Sequence, residues 1–211
     1  QLGSAESILS NNQKELGVCL IDLGAGTTDI TVYKKGTIIF SKVLPYAGDF
    51  ITESVALSLK IPSFHAEEIK MKYGSAIADD IQDEVLKLKG LDNHNEIEIS
   101  KKALCEIIEH NLSIIIRNCM STIEQNGLQD SVATGFVLSG GTANLENIVK
   151  LGEVISQKDF KIGSPEFSNI KNVDNLNKPQ FAASVGMAKY CAEVDDKEFT
   201  FNRSKGIIGR T

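Results

Sequence analysis

The chain has 211 residues, 42% of them hydrophobic and 24% charged, the balance of a folded, water-soluble protein of one large or two small domains. A net charge of −6 supplies no overall basic field for nucleic acid or anionic lipid. No apolar run approaches the roughly 18 residues of a membrane span, and no secretory leader opens the chain. The four cysteines (Cys19, Cys105, Cys119, Cys191) and three histidines (His65, His94, His110) are scattered. That spacing argues against a zinc site or a Cys/His nucleophile pair and fits reduced, buried thiols of a cytosolic protein. The first residue is Gln1 rather than Met, so the chain is read as a piece of something longer.

Taken in order, Val18–Ile21 is a continuous apolar run ended by Asp22, the pattern of a strand, about Val18–Leu23, buried on both faces. Gly24-Ala25-Gly26-Thr27 follows as a tight, hydroxyl-rich bend, where glycines at 24 and 26 permit backbone angles and close approach that a side chain forbids. Thr28–Lys34 then alternates, Ile30 and Val32 on one face and Asp29, Thr31 and Tyr33 on the other. A bend of this kind is either a nest for a phosphate or an ordinary glycine-rich hairpin. Lys35-Gly36 is a two-residue turn into a third strand, Thr37–Leu44. Asp49 is placed to cap a helix through Leu59, and a second helix covers about Ala66–Tyr73, stopped by Gly74.

From Ser75 to Ile99 the signal weakens to a loop around Gly90, Asn93 and Asn95 and a short alternating strand at Glu96–Ile99. Ser100 opens a long helix to about Asn126, with Leu104, Ile108, Leu112, Ile115, Cys119 and Ile123 as its core stripe, and Gly127 closes it. A strand at Gly135–Leu138, a second glycine turn at Ser139-Gly140-Gly141-Thr142 and a helix from Leu145 to Ile155 come next. Phe160–Ile162 reads as a short strand, Asn169–Lys178 as a polar loop, Phe181–Cys191 as a helix of small residues, and the segment from Asp195 as a polar tail. One α/β unit is thus interrupted by about seventy helix-rich residues. The division expected is an α/β subdomain from 1–58 and 132–195, an insert over 59–131, and a tail over 196–211.

The segments GVCLIDLGAGTTDITVYKKG, VLPYAGDFIT, AEEIKMKYGSA and GFVLSGGTANLENI, in that order around an insert, resemble the second lobe of the actin-like ATPases, and within them the FtsA cell-division family. The resemblance spans about residues 16–191 and implies an α/β fold of the actin-like, ribonuclease-H-like kind, a mixed sheet with flanking helices carrying an inserted α+β subdomain. It implies that Asp22 faces a magnesium ion through water, while Gly24, Ala25, Gly26 and Thr27 cradle the phosphates of ATP. Gly140, Gly141 and Thr142 resemble the adenosine loop, Gly48 a further point of close approach, and Glu67 and Lys70 the helix positions that face adenosine. The alternative for Glu67 and Lys70, less favoured, is a solvated helix face shared with Glu68 and Lys72. Where many relatives carry glycine this chain has Ala25, which is tolerable if that residue does not need positive φ.

The family's role implies a scaffold that polymerises, tethers FtsZ to the membrane and meets other septal proteins. It works at the cytoplasmic face of the inner membrane, at the division septum, with membrane contact only through a C-terminal helix absent from this sequence, and without nucleic acid. Lys101 and Lys102 are candidates to attract the acidic FtsZ tail, although Asn111 and Leu112 stand where some relatives have arginine and tyrosine. The first phosphate loop and the water-activating residue would belong to another lobe, so weak nucleotide binding and no hydrolysis are expected of this chain alone. The alternatives are the matching lobe of an MreB-like, pilus-assembly or DnaK-type protein and, less favoured, a sugar-kinase relative, for which no substrate-facing aspartate can be assigned.

Overall fold

The structure is a computed structural model in which residues 1–89, 96–165 and 176–192 are described. Its centre is β1 (Val18–Leu23), the apolar run, which pairs antiparallel with β2 (Thr28–Lys34) from Val18↔Tyr33 to Leu23↔Thr28. β3 (Thr37–Leu44) continues the meander through Lys35 and Gly36, whose φ values of 53° and 74° are those of a hairpin turn twisted to match its strands. β6 (Phe136–Ser139) lies parallel to β1 on its other side and β7 (Phe160–Ile162) parallel to β6, giving the mixed order β3-β2-β1-β6-β7.

The alternation of each strand sorts its side chains to two faces. Cys19, Ile21, Leu23, Ile30 and Val32 enter the main core, against α3 (Gly48–Leu59), α5 (Lys101–Gln125) and α6 (Ile148–Ser156). Val18, Leu20, Tyr33 and Val137 form a smaller core with Ala5 and Leu9 on the opposite face. Covering that face are α1 (Leu2–Ile8) and α2 (Asn11–Leu16), the latter started by a reciprocal cap between Ser10 and Gln13. Neither helix was expected from sequence. α1 crosses α7, the helix over residues 182–192, so closely that a Cβ on Gly186 would lie 1.6 Å from the Gly3 carbonyl oxygen.

Other boundaries move for local reasons. α3 starts at Gly48 with Ala47 at the cap, so Asp49 sits inside the first turn, where its charge favours the helix dipole, instead of capping it. α4 (Ser63–Tyr73) begins three residues before the expected Ala66, directly after Pro62. β4 (Val85–Lys89), unforeseen, pairs antiparallel with β5 (Glu96–Ser100); the loop expected around Gly90–Asn95 lies outside the described residues. Ser100 caps α5 by accepting the Ala103 amide at 3.0 Å, and the expected stripe is buried along the whole helix. Leu86, Leu88 and Ile99 join the same core as the sheet, so α5 packs on both.

α6 starts at Ile148 and not Leu145, because Gly141–Asn144 winds as a 3-10 turn first. The expected loop is described only at 176–178, and the tail from Asp195 falls outside the described residues. Cys19, Cys105 and Cys119 are free and buried; burial pushes the Cys119 thiol up to about 12, which leaves it unreactive.

Candidate functional site

The strand ends of β1 and β6 carry the two glycine turns, side by side because the strands are parallel neighbours. The first turn is closed by the Gly24 amide donating to Thr27 O at 3.0 Å. It is then clamped from outside: the amides of Gly48 and Asp49 donate to Gly24 O and Ala25 O at 3.2 and 2.8 Å. The Thr142 hydroxyl donates to Gly24 O at 2.9 Å, so Thr142 ties the two turns together. Ala25, Gly26 and Thr27 are left exposed beside a cleft of about 720 Å³. Gly24, Ala25, Gly48, Glu67, Lys70, Gly141 and Thr142 all line that cleft, so most of the expected residues converge on one space. Asp49, Met71, Gly74, Asn144, Leu145 and residues 177–180 form the rest of its lining and were not singled out from sequence as site residues.

The glycines divide into two kinds. Gly140 has φ of +87°, and a Cβ there would lie 2.3 Å from Leu23 O; a Cβ on Gly48 would lie 2.6 Å from the Thr142 hydroxyl. The fold itself requires both. Gly26 and Gly141 have no positive φ; a Cβ on Gly26 would come no nearer than 3.9 Å to Asp49, and one on Gly141 would meet nothing within 4 Å. The expectation that glycines 24 and 26 are needed for unusual backbone angles is therefore corrected: neither adopts positive φ, and only Gly24 is tight, at 3.2 Å from Thr27 O. Ala25 has no positive φ either, so the alanine is accommodated without strain.

Lys70 is not on a solvated face. Its side chain is 7% exposed, and its ammonium donates to Gly48 O at 3.1 Å and Thr52 Oγ1 at 2.8 Å while pairing with Glu67 Oε2 at 2.6 Å. The Thr52 hydroxyl also donates to Glu67, so α3 and α4 are locked together beneath the cleft. Burial pushes the Glu67 carboxyl up, but the hydrogen bonds from Lys70 and Thr52 and the Lys70 charge outweigh it and hold the group below the usual glutamate range. Asp22, half-buried at the end of β1, accepts a 2.6 Å hydrogen bond from Ser4 of α1 on Oδ2. Thr52 and Ser4 escaped sequence reasoning because a lone hydroxyl in a helix carries no pattern.

Lys101 and Lys102 sit at the start of α5, away from the cleft lining, and both are paired: Lys101 with Glu84 at 2.7 Å and Lys102 with the exposed Asp79 at 3.7 Å. Among the described residues no group of three His, Cys, Asp or Glu side chains is poised for a metal, and no helix is long and apolar enough to cross a membrane.

A five-stranded mixed sheet with two glycine turns at adjacent strand ends over an open cleft defines an actin-like fold. Among solved structures, MreB5 of Spiroplasma citri bound to ADP superposes with a TM-score of 0.73 at 20% identity, covering 92% of this chain and 59% of that one. The PilM–PilN type IV pilus biogenesis complex matches at 0.63 and 18% identity, covering 85% and 47%. The expected fold class is the one found. Within that class the chain belongs to the family of the cell division protein FtsA, whose sequence model matches residues 19–186. It is 36% identical over 191 residues to FtsA of Pseudomonas aeruginosa, covering 90% of this chain and 46% of the relative. To FtsA of Escherichia coli K12 it is 30% identical over 201 residues, covering 91% and 47%. The chain thus spans about half the length of the curated relatives it matches.

Proposed function

We propose that the cleft is one half of an ATP-binding clamp in an actin-like cell-division scaffold, with residues 59–131 forming the inserted subdomain that receives FtsZ. The observation that carries this reading is the pair Gly26, exposed in the turn next to the cleft, and Gly141, which lines the cleft: both lack side chains although the fold would accept them. A ligand lying against the backbone accounts for both; a tight hairpin accounts for neither. The exposed Ala25–Thr27 turn suits phosphates, Gly141 suits the nucleoside, and the buried Lys70, paired with the partly exposed Glu67, makes a rigid polar floor. The ADP bound by the MreB5 neighbour is consistent with that assignment.

Magnesium fits the residues present: the Asp22 carboxylate is a hard oxygen donor with its orientation set by Ser4, as a largely hydrated cation requires. Such an ion would offset phosphate charge. Catalysis is assigned to no residue of this chain, which would bind nucleotide and leave hydrolysis to the remainder of the whole protein. Polymerisation along actin-like filaments and a place at the cytoplasmic face of the inner membrane, at the septum, complete the reading.

The test is calorimetry with MgATP on the 211-residue chain and its Gly26→Ala and Gly141→Ala variants. Wild type binds weakly, and each alanine lowers affinity at least about tenfold, equivalent to ~1.4 kcal/mol. Both variants keep the wild-type melting temperature. Undiminished binding by both folded variants would remove the argument, and a submicromolar wild-type affinity would show that one lobe suffices.

For the FtsZ contact, Lys102 is the available cation: its side chain is 41% exposed against 23% for Lys101, and its partner Asp79 is farther away. Titrating a labelled FtsZ C-terminal peptide should show weak, salt-sensitive binding that Lys102→Ala diminishes more than Lys101→Ala. No binding to the folded wild-type chain would instead favour the matching lobe of another actin-like protein.

A further inference from the structure

The order β3-β2-β1-β6-β7 puts β3 at one end of the sheet, with no strand on its outer side. All eight of its residues are exposed except Phe40, which is half-buried, and Leu44, which is buried. Ile38, Ile39 and Val43 are 40%, 45% and 52% exposed. An edge strand turns unpaired amides and carbonyls outward, and native edges are ordinarily kept short, charged or covered. β3 is long and aliphatic, and Lys42 is its one charge.

The register with β2 sorts these side chains between the two faces. Phe40 and Lys42 stand opposite Val32 and Ile30 and share the main-core face. Ser41 and Val43 stand opposite Thr31 and Asp29 on the α1 face, where the Ser41 hydroxyl donates to Gln1 Oε1 at 2.6 Å. Ile38 is opposite Tyr33, and Ile39 has no partner on β2, so it is the extra residue of a bulge. Two residues from Ser41, Ile39 falls on the same face as Ser41 and Val43. Inverted about Ser41, the run Ile39-Phe40-Ser41-Lys42-Val43 is complementary to itself. Aliphatic Ile39 meets aliphatic Val43, the Phe40 ring meets the Lys42 cation, and Ser41 meets Ser41.

We infer that β3 is the docking surface for a second copy of this chain, joined edge to edge as an antiparallel pair about a two-fold axis through Ser41. The charge selects this register. An axis through Lys42 would oppose two ammonium groups, and an axis through Phe40 would set each Lys42 against aliphatic Ile38. Only the axis through Ser41 lays each Lys42 against a Phe40 ring, a cation–π pairing, and covers each Ile39 with a Val43. A foreign strand would have to carry the same pattern, whereas a second copy supplies it by symmetry. The contact is closed and isologous, so it differs from a head-to-tail filament contact, and it needs no nucleotide. Eight residues at ~3.4 Å each make a short seam, at the low end of interface sizes, so the pair forms reversibly as concentration rises.

Sedimentation velocity of the 211-residue chain, without nucleotide, should show a concentration-dependent shift from monomer to dimer. Val43→Lys sets a second cation on each strand against Ile39 and lowers association at least about tenfold. Because Val43 is half exposed in the single chain, that variant keeps the wild-type melting temperature. The register is read by disulfide trapping in a Cys191→Ser background, which removes the exposed thiol among the described residues. Directly opposed strand positions have Cβ atoms about 4.5–5.5 Å apart, so Ser41→Cys is trapped as a covalent dimer on oxidation. Ile39→Cys alone is not, while Ile39→Cys mixed with Val43→Cys is. A monomer at every concentration, dimerisation untouched by Val43→Lys, or trapping of Ile39→Cys as readily as Ser41→Cys overturns the inference. The nucleotide clamp is read separately, from MgATP binding, and stands or falls without this contact.

Discussion

Gly140→Ala is expected to be the most damaging small substitution in the cleft. With φ at +87° the backbone occupies a region that costs an L-residue about 1–3 kcal/mol, and the new methyl would lie 2.3 Å from Leu23 O and 2.6 Å from Asp22 Oδ1. Neither atom can retreat, since Leu23 O belongs to the central strand and Asp22 is held by Ser4. Strain plus overpacking gives a loss of roughly 3–4 kcal/mol, or a melting temperature lower by about 10 °C for a domain of this size. The neighbouring Gly141→Ala, with nothing within 4 Å, is the control and should melt with wild type. Circular dichroism melts of the two variants decide the matter. A Gly140→Ala protein melting within about 2 °C of wild type would mean that the second turn adjusts freely, and the tight coupling of the two turns would have to be abandoned.

That adjacent pair also marks how far the sequence could be read. Both glycines were visible as one turn, and the continuous run of β1, the alternation of β2 and the stripe of α5 placed the turn at the correct strand end. Apolar periodicity is a strong signal where one face is buried, which is why these elements emerged. It fails for α1, whose contact with α7 is made by Gly3 and Gly186 and depends on the absence of side chains, whereas α7 itself is legible as a helix of small residues. It fails for β4, a five-residue strand on a two-stranded sheet in which Lys87 stands between Leu86 and Leu88 and Lys89 ends the run. Within the site, sequence located the glycines but could not say which the fold demands, because that depends on what a Cβ would strike across the sheet. It likewise paired Lys70 with Glu67 as a candidate without revealing Thr52 and the Gly48 carbonyl, which lie on another helix and turn a surface pair into a buried lock.

That lock sets the second large effect. Lys70→Met keeps the length of the side chain and removes all three donors, leaving Gly48 O and Thr52 Oγ1 short of a partner and Glu67 without its cation. Breaking a fully buried pair costs about 3–5 kcal/mol, but Glu67 is 39% exposed and water can reach it, which lowers the expected loss at neutral pH to about 2–3 kcal/mol. The acid dependence separates the charge contribution from simple packing. Glu67 is held below its ordinary value in the folded protein, so it stabilises fully above the unfolded glutamate range near ~4.3 and loses that stabilisation as pH falls through its lowered folded value. Wild type should therefore lose this increment on acidification, while Lys70→Met, in which the lowering is abolished, has none to lose. Urea unfolding of both proteins at neutral pH and through the acid range measures the gap, which must narrow as pH drops. A gap that stays constant to the acid limit would reduce Lys70 to a space-filling side chain, and the polar floor of the cleft would lose its electrostatic basis.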